Sequence, residues 1–333
     1  MRSLELSAGR ARVDRLRHGA VVVESEPAVF RIEGTGALTC LQGLLTNDLI
    51  KPGDHSLVYG ALLTPKGMIV VDYWVIREPD RFTLVAPPAG REASLDLFRR
   101  QIPPRLARVD DLTGEVAAAW LLGGQAFPLL ARSAVRPIPE AAGRVTAVDT
   151  TAGPVLLALA HESAPFSALA VGPAAAMRTL VASLTAAGAA TGTLDDLDAA
   201  RVLAGWPTLG AEIDERTLPQ EVRFDEIGGV SYTKGCYVGQ ETVARLHFRG
   251  HTNRELRGLV WTGADPLADS AIVADGREVG TVRSTLALDD RIIGLAPIRR
   301  EVEVGADVMA GGRNATVVAL PFAPDDLDRG RVA

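Results

Sequence analysis

The sequence predicts an α+β fold with antiparallel sheets, followed by a small β-barrel. Three observations carry this expectation. Short apolar runs between 57 and 86 are joined by tight turns, and a tight turn forces the strands it connects to pair antiparallel. Helical periods stand before Gly188 and after Thr193. From about Glu255 onward short apolar runs alternate with Gly and Asp turns and no helical period is found, which is the pattern of a barrel.

Residues 28–34 read as a short strand, and Leu38, Leu41 and Leu45 then recur at helical spacing. That helix should end near Thr46-Asn47-Asp48, whose side chains compete for backbone hydrogen bonds. Leu57 to Leu63, Met68 to Arg77 and Phe82 to Ala86 form a meander. Its first turn, Thr64-Pro65-Lys66-Gly67, has proline at the second position and glycine at the fourth. Gln101-Ile102-Pro103-Pro104 interrupts the pattern, and a second strand-rich unit is expected to start near Arg108. A helix from Pro173 to about Ala187 ends at Gly188, and Thr193 caps another from Leu194 to Ala204, with Asp195 and Asp196 in its first turn. The expected organisation is therefore a two-unit region over 1–253, a barrel over 254–322, and a polar, flexible tail over 323–333.

With 333 residues, 47% of them hydrophobic and 23% charged, the chain can bury a sizeable core. Its net charge of −6 provides no general basic field for nucleic acid, so no nucleic-acid partner is expected. The arginine-rich start has no continuous apolar stretch, so it reads as neither a secretory signal nor a transit peptide. The densest apolar run, Val116 to Leu122, stops at Gly123-Gly124, too short to span a bilayer. A cytoplasmic protein without a membrane partner is the expectation. The two cysteines, Cys40 and Cys236, cannot build a disulfide framework, and the five scattered histidines have no metal-ligand spacing. No metal site is expected within the chain.

The strongest local signal is Lys234-Gly235-Cys236-Tyr237-Val238-Gly239-Gln240-Glu241. Two glycines around one cysteine suggest a bend that presents the thiol, and Lys234 would favour its ionised form. A small cysteine in a tight structural corner fits the spacing equally. Asp72 stands inside Met-Ile-Val-Val-Asp-Tyr-Trp-Val-Ile, where an unpaired buried carboxylate costs several kcal/mol. Either alternation puts it on a wet face, or it lines a cavity and accepts hydrogen bonds from an amidine-like ligand edge such as that of a pterin. Arg245, His247 and Arg249 alternate with Ala244, Leu246 and Phe248, so on a strand they would share one face. That face is either solvated or meets an anionic ligand tail or an acidic partner. Arg201 can be a surface residue or turn inward to a ligand, and Cys40 reads as a helix core residue.

The eight residues 234–241 resemble the signature of YgfZ-type folate-binding proteins, relatives of the glycine-cleavage aminomethyltransferase that include iron–sulfur assembly factors. Residues 41–48, Pro65-Lys66-Gly67 through Asp72, Arg201 to Gly205, Ala244-Arg245, 249–254 and 276–280 are also similar, in the right order along nearly the whole chain. The resemblance implies an aminomethyltransferase-like, two-unit folate-binding region followed by a β-barrel, around a central cavity. It implies tetrahydrofolate as cofactor and Asp72, Arg201, Lys234, Arg245 and Arg249 as binding residues, with Cys236 as the reactive group. The implied function is a tetrahydrofolate-binding accessory protein that assists assembly or repair of iron–sulfur enzymes, with apoproteins or assembly factors as partners. A folate-dependent one-carbon transferase or demethylase, and a non-catalytic folate-binding scaffold, are the alternatives. The transferases' polar Gly-Tyr-Thr-Gly-Glu segment has no counterpart here; roughly Leu156 to Val171 stands in its place. Glycine-cleavage activity is therefore not expected.

Overall fold

A computed structural model describes residues 2–3, 9–133, 141–265 and 267–328. The predicted meander forms as Ser56–Leu63, Ile69–Arg77 and Arg81–Ala86, extended by Ala28–Glu33 and Arg108–Asp111 into a five-stranded antiparallel sheet. Its first turn closes through the Gly67 N–H donating to Thr64 O at 2.9 Å, with Gly67 at φ +89°, a conformation that favours glycine. Val71, Tyr73 and Val75 face the helices Ala37–Gln42 and Arg91–Gln101 in one core, with Phe30 and Phe98. Trp74 and Ile76 face the other way, into the centre of the molecule. The helix expected to reach Thr46 ends at Gln42, because the Thr46 hydroxyl donates to Gly229 O and accepts the Ala61 N–H.

The second sheet has six strands, ordered Ala190–Thr191, Val21–Ser25, Val116–Leu122, Ala168–Pro173, Gly153–Leu159 and Val145–Thr150. The strand at 108–111 completes the first sheet, so the change of sheet follows it, and the second sheet takes Val21–Ser25 from the start of the chain. Ala118, Trp120 and Leu122 point to the centre, while Ala119 and Leu121 pack under the helix Ala174–Ala186. Gly188 ends that helix region at φ +109°, and Thr193 with Asp196 forms a capping box on Leu194–Leu203. Asp196 also receives Arg12 at 3.1 Å and Arg15 at 2.8 Å from the helix Gly9–His18, which ties the arginine-rich start to the body.

Six strands close the C-terminal barrel: Arg254–Thr262, Ala271–Ala274, Arg277–Thr281, Arg291–Arg299, Asp307–Ala310 and Arg313–Val318, with Gly280 opposite Ile298 at the closure. Leu259, Trp261 and Val317 fill its interior. Leu256, Ile293 and Leu295 on its outer wall join the central core shared by all three parts. The expected flexible tail is different over its first half. Pro324–Asp328 is a short helix, Leu327 is buried in the central core, and Arg291 donates to Asp326 O at 3.1 Å. The apolar side chains of Phe322 and Leu327 anchor this stretch; 329–333 lie outside the described residues. Among the described residues no helix is long and apolar enough to cross a membrane.

Candidate functional site

Asp72 is not on a wet face. Alternation turns it, like Trp74, toward the molecular centre, and it is 5% exposed. Tyr59, on the neighbouring strand, donates its hydroxyl to Asp72 Oδ2 at 3.1 Å, while Oδ1 has no hydrogen bond of acceptable geometry. Burial pushes this carboxyl up to about 6; the Tyr59 hydroxyl, the amides of Asp72 and Leu209 and the Arg201 charge pull in the opposite direction. Through Tyr59 it adjoins a cluster of aromatic rings. Tyr59 lies 4.8 Å from both Trp74 and Trp206, which stack on each other at 5.3 Å, and Trp74 meets Phe166 at 4.7 Å. Phe166 continues to Trp120 of the second sheet at 4.8 Å, and it also lines a cavity of about 560 Å³ with Arg17, His161 and Ala204.

Arg201 turns inward. Its guanidinium gives Nε to Asp198, Nη1 to Trp206 O and Glu212, and Nη2 to Ser284 and Asp198, all between 2.7 and 2.9 Å. Four of the five N–H donors are thereby hydrogen-bonded, and the second Nη2 contact, with Asp198, is an ion pair. Ser284, on the strand Ser284–Ala287 that pairs with the barrel strand Arg291–Arg299, in turn donates to the other oxygen of Glu212 at 2.5 Å, so the network joins a helix, the 206–212 segment and the C-terminal sheet. Toward Asp72, Arg201 acts through its field rather than by contact. Nothing local in the sequence marks Glu212, Trp206 or Ser284 as its partners.

The signature loop is pinned by Lys234. Its ammonium donates to the carbonyls of Gln42, Leu45 and Asn47 at 2.6–2.8 Å, and burial lowers it to about 8 against the pull of Asp48. The charge is thus aimed at the 42–47 segment, not offered to the thiol. Gly239 sits at φ +83°, and a Cβ there would lie 2.6 Å from Thr64 O, so this glycine is required for the loop to dock on the meander turn. Gly235 carries no such constraint, since a Cβ there meets nothing within 4 Å. Cys236, between them, is exposed, and Cys40 is half-buried, with burial raising its thiol. Lys234→Met should cost about 2–4 kcal/mol, because it leaves three carbonyls without a donor. A urea titration checks this, and an alkylation rate of Cys236 that stays near that of the native protein would show that Lys234 does not activate the thiol.

Arg245, His247 and Arg249 do not share a strand face, because Gln240–Arg249 is a helix. Alternation misleads here: Val243 is the buried anchor, and three residues on Leu246 is half-buried, which is a helical spacing. Arg245 and Arg249, one turn apart, lie exposed on the outer side beside Phe248, which is 67% exposed. His247 turns back, stacking on Tyr232 at 3.6 Å and meeting Asp225 at 3.2 Å through Nδ1.

An antiparallel sheet, a second sheet antiparallel but for its edge strand Ala190–Thr191, and a barrel, packed on one aromatic core, define an aminomethyltransferase-like fold. The glycine cleavage system aminomethyltransferase T from Bartonella henselae shares this fold, with a TM-score of 0.79 over 96% of this chain and 91% of that one, at 20% identity. Residues 9–151 match the GCVT N-terminal domain. An aminomethyltransferase from Rubrobacter xylanophilus is 31% identical over 305 residues, covering 87% of this chain and 79% of that protein. The tRNA-modifying protein YgfZ of an Enterobacter species is 26% identical over 90% of this chain and 92% of its own length. That of Colwellia psychrerythraea is 27% identical over 70% and 68%. The chain belongs to the YgfZ-type family related to the glycine-cleavage aminomethyltransferases.

Proposed function

We propose that this protein binds tetrahydrofolate and assists assembly or repair of iron–sulfur enzymes. One observation carries the folate reading: a buried carboxylate oxygen, Asp72 Oδ1, without a hydrogen-bonding partner, beside the rings of Tyr59, Trp74 and Trp206. A buried acceptor of this kind fits the N–H groups of a pterin edge, and the rings fit its flat faces. Asp72 would orient the pterin. Arg201, with four of its five donors hydrogen-bonded within the protein, would hold the surrounding segments in place, and the folate it was expected to contact would feel chiefly its charge. Calorimetry with reduced folate on the purified protein tests the reading, and absence of binding overturns it.

Cys236 would act outside this centre. It is exposed on a loop pinned by Lys234 and Gly239, and Arg245 and Arg249 follow on the exposed side of the next helix, suited to an acidic apoprotein or assembly factor. One thiol cannot hold a cluster that usually takes four protein ligands, so a cluster step would be shared with the partner. The relatives' name, tRNA-modifying protein, fits clients that act on tRNA. Cys236→Ser should retain fold and folate affinity but fail to restore iron–sulfur enzyme activity in a deletion strain. Full complementation would make the cysteine structural.

The similarity to the Rubrobacter xylanophilus aminomethyltransferase favours a second reading, a folate-dependent one-carbon transferase. Against it, the segment standing where the transferases have a polar glutamate contributes Phe166, a buried apolar ring. In a reconstituted glycine-cleavage assay the protein should show no turnover above background; turnover comparable with a transferase would establish this second reading.

A further inference from the structure

A cavity of about 610 Å³ separates the outer wall of the barrel from the 212–222 segment, and arginines line both sides. Arg254 and Arg299 are direct cross-strand partners in the antiparallel pair Arg254–Thr262 and Arg291–Arg299, so both side chains leave one face of the sheet. That face points outward, since Leu256 and Pro297, the next pair on it, meet the central core and the cavity. Like charges directly opposite on a sheet destabilise it.

Carboxylates relieve the pair only in part: Glu301 stands 3.6 Å from Arg299, and Glu221 reaches Arg254 through its field without an ion pair. Arg254 and Arg216 make no ion pair among the described residues, and Arg299 reaches only Glu301, at 3.6 Å, with both side chains more than half exposed. Arg283 gives Nη2 to Asp214 at 3.1 Å, and its Nε is buried without an acceptor. The acids of the cavity are engaged elsewhere. Glu212 serves Arg201 and Ser284; Asp214 accepts from Arg283, Thr217 and the Arg216 amide. Glu221 accepts the Leu218 N–H, and burial raises its carboxyl above the usual range, with Asp214 adding to the rise and Arg254 opposing it.

We infer that this cavity binds a small polyanion, a molecule with two or more adjacent phosphate or carboxylate groups, between Arg254, Arg299 and Arg283. Such a ligand neutralises the facing arginines and supplies the acceptor that Arg283 Nε lacks. The site is separate from Asp72 and its rings, and the inference does not rest on folate binding.

The test is calorimetry on the full chain at low salt, with tripolyphosphate and with citrate. Binding of tripolyphosphate alone assigns a phosphorylated ligand, and binding of citrate alone a polycarboxylate. Either should weaken with added salt, and by at least about tenfold in the double variant Arg254→Gln/Arg299→Gln. The ligand-free double variant should unfold at the same or a higher temperature than the native chain, because the repulsion is gone. Arg299→Gln alone should show a smaller loss in the same direction. If neither anion binds, or the double variant binds as well as the native chain, the inference is overturned.

Discussion

Replacing Arg201 by Met should lower the unfolding free energy by about 3–5 kcal/mol, the range seen when one partner of a buried ion pair is removed. The Glu212 side chain is fully buried, and Arg201 is its charged partner at 2.8 Å. Without the guanidinium, the carboxylate keeps only the Ser284 hydroxyl and the Thr208 N–H, and Trp206 O loses its donor. Lysine at 201 should recover only part of the loss, since an ammonium cannot place donors on Asp198, Trp206 O, Glu212 and Ser284 from one plane. Adding Glu212→Gln to Arg201→Met should restore a substantial share of the stability, because the uncompensated charge is then removed. A denaturant titration followed by tryptophan fluorescence measures all three. A loss below about 1 kcal/mol in Arg201→Met would show that the network is not what joins the C-terminal sheet to the rest of the molecule.

The same network shows which features a single sequence can reveal. The meander was legible because its signals are local: alternating runs, and a proline and glycine at fixed turn positions. The helices before Gly188 and after Thr193 were legible from their caps. What failed to show was long-range. Arg201 meets Ser284 across 83 positions, and Lys234 meets Leu45 across 189, and neither partner carries a mark of its own. The helix Gln240–Arg249 was hidden by competition between two periods. Its basic residues alternate as on a strand, and only Val243 is fully buried on it. The tail misled for a related reason. Its polar composition conceals an anchor, Leu327, whose burial, with that of Phe322 just before the tail, outweighs it. Asp72, like Arg201, admitted both a solvated and an inward reading, and its register with Ala61 decided for the inward one.

Asp72→Asn should move stability and binding in opposite directions. In the folded protein the carboxyl titrates at about 6, against an ordinary value of 3.8. Between those values the folded chain retains a proton that the unfolded chain has released. Stability contributed by this group is therefore complete below pH 4 and is lost as the pH rises through 6, when a buried charge must be carried. The loss is about 3 kcal/mol, two pKa units at about 1.4 kcal/mol each. Asparagine does not titrate, so whatever constant offset its amide introduces, the gap between variant and native protein should widen in favour of the variant by up to about 3 kcal/mol from pH 4 to pH 7. Reduced-folate affinity should fall at the same time by about 1–3 kcal/mol, because the unpaired Oδ1 no longer offers a charge to the ligand's N–H groups. Denaturant titrations at several pH values give the first effect and calorimetry the second. A gap that stays constant with pH would mean that Asp72 is not held as a buried titrating acid. Unchanged folate affinity alongside a widening gap would leave it a strained core residue and remove it from the binding site.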